Sequence, residues 1–420
     1  MASDLTLAAA VCVFVLTYVL ISLRQVAQIP LERPAAALLG AALMLLLGVL
    51  GPAEALAAIN VDVLLLLIGM MLHVSGLEVC GFFDLVSTRI SSRAGSGGGL
   101  LAGIMVAGAV LSALVLNDTI ALLMTPIVVK SARSVRANPV PYLVALAIAV
   151  NVGSVATEIG NPQNAYIGIR SGIPFLTFAA SLLPVAAACL AVAFVLVWAV
   201  FRRDLRRPLE RVANPTSARL HRRGLGFTLA VVLGCVAGFL LTTPDWLPFI
   251  ALAGGAFVLF VLPFLVPTTP RTMIQGVDWG IIVFFIGLFV VLGGVEVSGL
   301  SSYIQAGFTA MFGGEGGLGW LTGLSALLSN LISNVPAVFL LSEVVEASGG
   351  STQLWLALAA SSTLAGNATI LGAAANVIVV QTASRHGVQV SMKDFVKAGL
   401  PVTAATLLLS TLLIALLVPP

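Results

Sequence analysis

Apolar residues run along this chain for distances that a soluble helix does not need. Leu5 to Leu23, Ala35 to Leu50, Ile173 to Phe201 and Phe395 to Val418 approach or exceed the roughly 20 apolar residues that cross a bilayer as a helix. The pattern predicts helices throughout and a chain that crosses a membrane many times. The first run lacks a basic start and a small-residue cleavage site, so it reads as a retained helix, not a removable signal.

Two places interrupt the pattern. Between Arg93 and Lys130, one arm (Leu100 to Leu116) nearly crosses. The second arm, Thr119 to Val129, has eleven residues, which as helix cover about 17 Å. With basic residues on both flanks and Asn117-Asp118-Thr119 between the arms, this predicts a re-entrant hairpin entering from the cytoplasm. The other interruption is NVGSVATEIGNPQNAYIGI, residues 151–169, where Glu158, asparagines, glycines and a proline sit inside apolar sequence. It predicts a spanning helix broken near its middle.

Sliding the chain against itself by about 217 residues exposes a repeat. IGMMLHVSGLEVCGF (68–82) lies over IGLFVVLGGVEVSGL (286–300), and LSALVLNDT (111–119) over LSNLISNVP (328–336). ATEIGNPQN (156–164) lies over ATILGAAAN (368–376), and FAASLLPV (178–185) over FVKAGLPV (395–402). Each copy holds three spanning helices, a hairpin, a broken helix and a last span, which makes five crossings and inverts the second copy. The expected fold class is therefore all-α integral membrane, with two inverted repeats of five spanning helices, each with one re-entrant hairpin and one broken helix. Residues 1–201 form the first repeat, 202–223 an Arg-rich cytoplasmic linker, and 224–420 the second repeat.

Composition and charge sharpen this picture. Of 420 residues, 59% are hydrophobic and 9% charged, against about 25% charged in an ordinary soluble chain. Nineteen of the 20 Lys and Arg fit cytoplasmic loops of that path, and Arg170 is the exception, read as snorkelling to the outer interface. Both termini then lie outside. The second hairpin, about 316–346, is flanked by Glu315, Glu343 and Glu346 and should enter from outside. Glu78 and Glu296 superpose near helix ends and read as solvated interfacial acids. The four cysteines are far apart and read as small buried residues, and His73 as a packed helix residue. No nucleophile with its base and no H-E-x-x-H motif is present, which argues against an intramembrane enzyme.

Interrupted helices meeting at mid-membrane are the architecture of secondary transporters, and the breaks point to the binding site. A channel would need a continuous pore instead. At a break, one half-helix offers carbonyls to a cation and the next offers N–H groups to an anion. The candidate binding set is Asn117, Asp118 and Thr119 at the first tip and Ser333 and Asn334 at the second. To these are added Gly153, Thr157, Glu158, Gly160, Asn161 and Asn164 at the first break, and Gly366, Asn367, Thr369, Gly372 and Asn376 at the second. Capping of buried helix ends is the plainer role for any one of these asparagines. Asp118 and Glu158 are expensive in a membrane and are functional candidates for that reason. Their counterparts are Val335 and Ile370, so coupling is expected in the first half, with sodium near Asn117, Asp118 and Asn164, or a proton.

LNDTIALLMTPIVV (116–129) resembles the hairpin of arsenite permeases, and NVGSVATEIGNPQN (151–164) is similar to the ATPIGNPQN of silicon-efflux and bacterial anion permeases. GNATILGAAANVIVV (366–380) is the second-half partner. The chain thus resembles the ion transporter superfamily, in its arsenite permease and silicon-efflux-like anion permease branch. Divalent anion symporters of that superfamily carry Ser-Asn-Thr at both tips, whereas this chain has Leu116-Asn117-Asp118 and Ser333-Asn334-Val335. Glu158 stands where the branch usually has proline. These departures count against dicarboxylates and fit a small metalloid acid or inorganic oxyanion such as arsenite, antimonite or silicate. The resemblance implies elevator-like motion, a homodimer in a cell membrane, and no cofactor beyond the coupling ion. It also implies a cytoplasmic ATPase subunit if the cargo is arsenite; nucleic acid is not an expected partner. A sodium/proton antiporter and a sodium-coupled dicarboxylate or sulfate symporter are the rival functions.

Overall fold

The computed structural model describes residues 4–27, 32–93, 95–207, 209, 220–299 and 317–419. Half of the 202–223 linker (208 and 210–219), with Glu315 and the start of the second hairpin, lies outside them. Every regular element among the described residues is helical. Seven helices there are long and apolar enough to cross a membrane, in agreement with a multi-pass chain.

The helices run as α1 (Asp4–Ala27), α2 (Arg33–Leu46), α3 (Pro52–Ala58), α4 (Val61–Val79), α5 (Phe82–Arg93), α6 (Gly97–Leu114), α7 (Asn117–Ser134), α8 (Pro139–Ser154), α9 (Pro162–Ser171) and α10 (Phe175–Leu205). They continue as α11 (Arg222–Leu241), α12 (Leu247–Val261), α13 (Pro270–Gln275), α14 (Trp279–Val297), α15 (Gly317–Ile332), α16 (Asn334–Ala347), α17 (Thr352–Ala365), α18 (Ala374–Arg385) and α19 (Met392–Leu417). Polar residues set the starts. Asn60 caps α4 by accepting from Val63 N, and Asp278 caps α14 by accepting from Ile281 N. Asn138 and Ser351 do the same for α8 and α17.

Two helices differ in length from the apolar runs. α2 stops at Leu46, because Gly48 takes a left-handed φ of 68° and the amides of Leu47, Gly48 and Val49 fold back onto Leu43, Leu45 and Met44 carbonyls. α7 is not eleven residues but 18, running through Lys130 to Ser134. Apolarity ends before the helix does, since a helix whose last turns leave the apolar zone still satisfies its own backbone. Arg133 there donates to the carbonyl of His386 at 2.8 Å, tying α7 to the end of α18.

Two groups of helices follow from the packing. In one, α4 lies along α12 and α14 along α2. A Cβ on Gly69 would fall 2.3 Å from the carbonyl carbon of Ala251, and one on Gly287 would fall 2.6 Å from that of Ala37. Only a residue without a side chain lets these backbones approach so closely. Gly69 and Gly287 are superposed positions of the repeat, so the same contact is made with the halves exchanged. In the other group, α6 packs on α8 and α15 on α17, while α7 lies against α18 and α16 against α9. α10 and α19, with internal Pro184 and Pro401, pack on each other. α8 is buried from Pro141 to Ser154 and α17 from Trp355 to Ala365, so these two helices form the axis of this group.

The smaller expectations fall out unevenly. Glu78 and Glu296 are exposed, and His73 is buried, with Nδ1 2.7 Å from the Gly69 carbonyl. Cys80, Cys189 and Cys235 are buried, whereas Cys12 is exposed on the surface of α1, contrary to its reading as a buried residue.

Candidate functional site

Both breaks are held by the same device. α8 ends at Ser154 and α9 begins at Pro162, with Asn161 as its cap accepting from Asn164 N at 2.8 Å. Asn164 Nδ2 donates back to the carbonyls of Ser154 (3.0 Å) and Thr157 (3.1 Å), which the end of α8 leaves without helical partners. In the second break, Asn376 Nδ2 donates to the carbonyls of Gly366 (2.7 Å) and Thr369 (2.9 Å). Thr369 Oγ1 accepts from Gly372 N at 3.0 Å, while the Thr157 hydroxyl donates to the carbonyl of Ala113 in α6. Gly160 offers its carbonyl to Asn117 N at 2.9 Å, which joins the first tip to the first break.

Asn151 then crosses between the halves. It accepts from Asn117 Nδ2 (3.3 Å) and donates to Asn367 Oδ1 (3.0 Å) and Asn376 Oδ1 (2.9 Å). The reverse link runs through Thr363 of α17, whose hydroxyl accepts from Asn161 Nδ2 (3.3 Å) and Gln163 Nε2 (3.2 Å). Asn151 opens the polar stretch 151–169 but is not in the candidate binding set, and neither is Thr363. Extending the 156–164/368–376 superposition back by five residues places one over the other. Asn164 Oδ1 and Asn367 Nδ2 are buried and keep unused hydrogen-bonding capacity among the described residues.

Above this network lies a cavity of about 300 Å³. Of the candidate residues, Asn117, Asp118, Ser333 and Asn334 line it, beside Pro162, Gln163, Ala373 and Ala374. These are the first residues or caps of α7, α16, α9 and α18, so four helices start on one cavity. Its far wall is Glu32, Arg33 and Pro34 at the start of α2, with Asp278, Gly280, Ile281, Phe284 and Phe285 of α14. Gly153, Thr157, Glu158, Gly160, Asn161, Asn164, Gly366, Asn367, Thr369, Gly372 and Asn376 lie outside its lining, with the breaks beneath. Thr119 is half-buried in the first turn of α7 and does not line it either.

A second cavity, of about 260 Å³, opens toward the other end of α14, beside Asn60, Arg170, Glu296 and Glu343. Phe285 lines the first cavity and Phe289 the second. Tyr166 and Phe339, which line the second cavity too, have ring centroids 4.0 Å apart, with Phe289 5.2 Å from Phe339 and Phe285 5.9 Å from Phe289, so one aromatic cluster runs from one cavity to the other. Arg170 does not snorkel alone: its guanidinium binds Glu346 at 2.6 Å and Glu343 at 2.9 Å, and donates to Tyr166 Oη at 3.2 Å.

Residues 18–360 match the sequence profile of a family described as citrate transporter. An uncharacterized transporter of Mycobacterium tuberculosis, Rv2685, is 32% identical over 422 residues, covering 96% of each chain. The silicon efflux transporter LSI3 of Oryza sativa subsp. japonica is 28% identical, over 89% of this chain and 90% of that one. Among solved structures, the YdaH transporter of Alcanivorax borkumensis superposes with a TM-score of 0.60 at 15% identity, over 86% of both chains, which is a likeness of fold.

Proposed function

Because the chain belongs to the citrate transporter family, we propose that it is a secondary active transporter carrying a small oxygen-rich anion of the carboxylate class, driven by a proton or sodium gradient. The observation that carries this reading is the start of α7, α9, α16 and α18 on one cavity. A helix N-terminus carries roughly half a positive elementary charge, and four of them around one cavity favour carboxylates and oxyanions, although some first-turn amides are already engaged, as Asn117 N is by the Gly160 carbonyl. A cation carried alone, as in a sodium/proton antiporter, has no use for four positive helix ends. Asp118, which lines the cavity next to Asn117, is the partner for a coupling cation, with Asn117 and Asn164 as the set for sodium. The family match moves the substrate class away from the metalloid acids that the tip residues favour.

The chain is a multi-pass membrane transport protein, related to citrate transporters and to a silicon efflux transporter, and not an enzyme. The finer architecture extends it. Residues 1–201 and 224–420 are two inverted repeats of five crossings, joined by a cytoplasmic linker at 202–223, with both termini outside. The exchanged contacts Gly69–Ala251 and Gly287–Ala37 support this, as do the matched bonds of Asn164 and Asn376. α6–α7 and α15–α16 are the re-entrant hairpins of a transport group that moves, elevator-like, against α2, α4, α12 and α14, in a homodimer in the cell membrane.

A second reading keeps the path and changes the cargo to an uncharged oxyacid such as silicate or arsenite. It is favoured by Glu32, Asp118 and Asp278 around the cavity, which oppose a highly charged anion. Uptake of labelled citrate, silicate and arsenite into proteoliposomes, with sodium and pH gradients varied separately, separates the two. Citrate flux that vanishes in Asp118→Asn supports the first reading; silicate or arsenite flux without citrate flux replaces it by the second.

A further inference from the structure

Glu158 is the acidic residue that the site leaves unused. The repeat puts Ile370 opposite it, and it lines neither cavity. It stands in the turn between α8 and α9 with 1% of its surface exposed, and its Oε1 is enclosed without a hydrogen-bond partner among the described residues. The carboxyl lies on the backbone of α9, where a Cβ added to Gly168 would come within 2.5 Å of its Cδ.

A carboxylate in that position needs a cation or donors, and the neighbouring elements supply neither. On α9 itself, Tyr166 and Arg170 are bound to one another, and Arg170 to Glu343 and Glu346 of α16. On α4, His73 is turned to Gly69 and Cys235, while Asp62 and Glu78 stand at the two ends. α17 brings no charged residue, and the turn before α12 brings Asp245. None of these sets a charge against Glu158. An isolated buried carboxylate is strongly penalised, and the group escapes by taking up a proton.

We propose that Glu158 carries a proton through the transport cycle, apart from the coupling cation that Asp118 holds at the cavity. The inference rests on the transport function proposed above. In the closed break the carboxyl holds its proton away from water. Release requires α9 to move off the turn, and that movement shifts Pro162 and Gln163, which line the cavity, and Gly160, which holds Asn117. Proton loss and a change in the shape of the substrate cavity are thereby one event. Substrate and proton need not touch, which suits an anion site free of the carboxylate's repulsion.

Infrared difference spectroscopy on the purified full-length protein, stepped in pH, reads the carboxyl directly. The wild type should show the carbonyl stretch of a protonated buried carboxyl that disappears as pH rises. Glu158→Gln should lack that band, and Glu158→Asp should keep it at a shifted frequency and a shifted midpoint. In proteoliposomes loaded for citrate uptake, an acid-outside gradient should drive accumulation in the wild type and in Glu158→Asp, and that drive should be lost in Glu158→Gln. A band that persists in Glu158→Gln overturns the proposal, as does pH-driven accumulation by that variant equal to the wild type. If the band behaves as expected but no gradient moves citrate, silicate or arsenite, the transport function falls instead and takes the coupling role with it.

Discussion

Asn151 Nδ2 donates to Asn376 Oδ1 at 2.9 Å, a bond from the central helix of one half to the broken helix of the other. The same amide serves Asn367, and its oxygen serves Asn117 at the cavity. Asn151→Ala would leave one buried donor and two buried acceptors without this partner. An orphaned buried group costs about 1–3 kcal/mol, whereas one interhelical bond in a membrane protein averages roughly 0.6 kcal/mol. We expect a loss of about 2 kcal/mol, between those limits. Thr363→Ala removes the matching acceptor and should cost less, because Asn161 retains Ser154 as a partner. Thermal unfolding in detergent checks both; an Asn151→Ala protein that melts with the wild type would show that the bridge contributes nothing.

Arg170 joins the end of α9 to α16, and Arg133 joins the end of α7 to the end of α18. Each clamp ties a helix that starts at a cavity tip, α16 or α7, to one that follows a helix break, α9 or α18. The Arg170 and Glu346 side chains are 33% and 39% exposed, so water screens the pair. A double-mutant cycle with Arg170→Gln and Glu346→Gln should give a coupling of about 0.5–1 kcal/mol that shrinks with added salt. A coupling near zero at low salt would mean that the contact is incidental.

Gly153 of α8 faces α6, where an added Cβ would fall 2.2 Å from the Ala109 carbonyl oxygen and 2.4 Å from its Cα. Backbone cannot swing aside as a side chain can. Gly153→Ala should therefore destabilise by about 1–3 kcal/mol, the range for overpacking. Gly234 of α11 meets nothing within 4 Å, so Gly234→Ala should be neutral or gain a few tenths of a kcal/mol from helix propensity. Melting temperatures of the pair give the comparison, and equal shifts in both would refute the close approach.

The parts of the fold that one segment decides were legible in the sequence. A polar, glycine-rich interruption in an apolar span can hardly be anything but a break, and the superposition of Asn164 on Asn376 is repeated atom for atom in their bonds to Ser154 and Gly366. Properties that depend on distant partners were not legible. Asn151 lies in a regular helix among apolar neighbours, and its role exists only because α18 arrives beside it. Arg170 looked solitary because Glu343 and Glu346 are more than 170 residues away in the chain. The far wall of the cavity, from Arg33 to Asp278 and Phe285, is assembled by packing alone. The length of α7 is not legible in its apolar run, because apolarity marks where a helix is immersed and not where it ends.

The starts of α7 and α16 differ in strain. Leu116 before α7 has φ −57° and ψ 127°, an ordinary conformation, whereas Ser333 before α16 has φ 80° and ψ 158°. That region is nearly exclusive to glycine, and a non-glycine residue held there costs of order 1–3 kcal/mol. Ser333 lines the cavity beside Asn334, so the strain sits at the cavity wall where α16 begins. Relieving it with Ser333→Gly should raise stability, by less than the full cost because glycine also frees the unfolded chain. If the strained tip holds the first N–H groups of α16 in place, the same variant should bind substrate more weakly, seen as a higher KM for citrate uptake with folding improved. A variant that gains stability and keeps its KM would place the strain outside the transport function; one that loses stability would mean that the serine side chain, not the backbone, secures the tip.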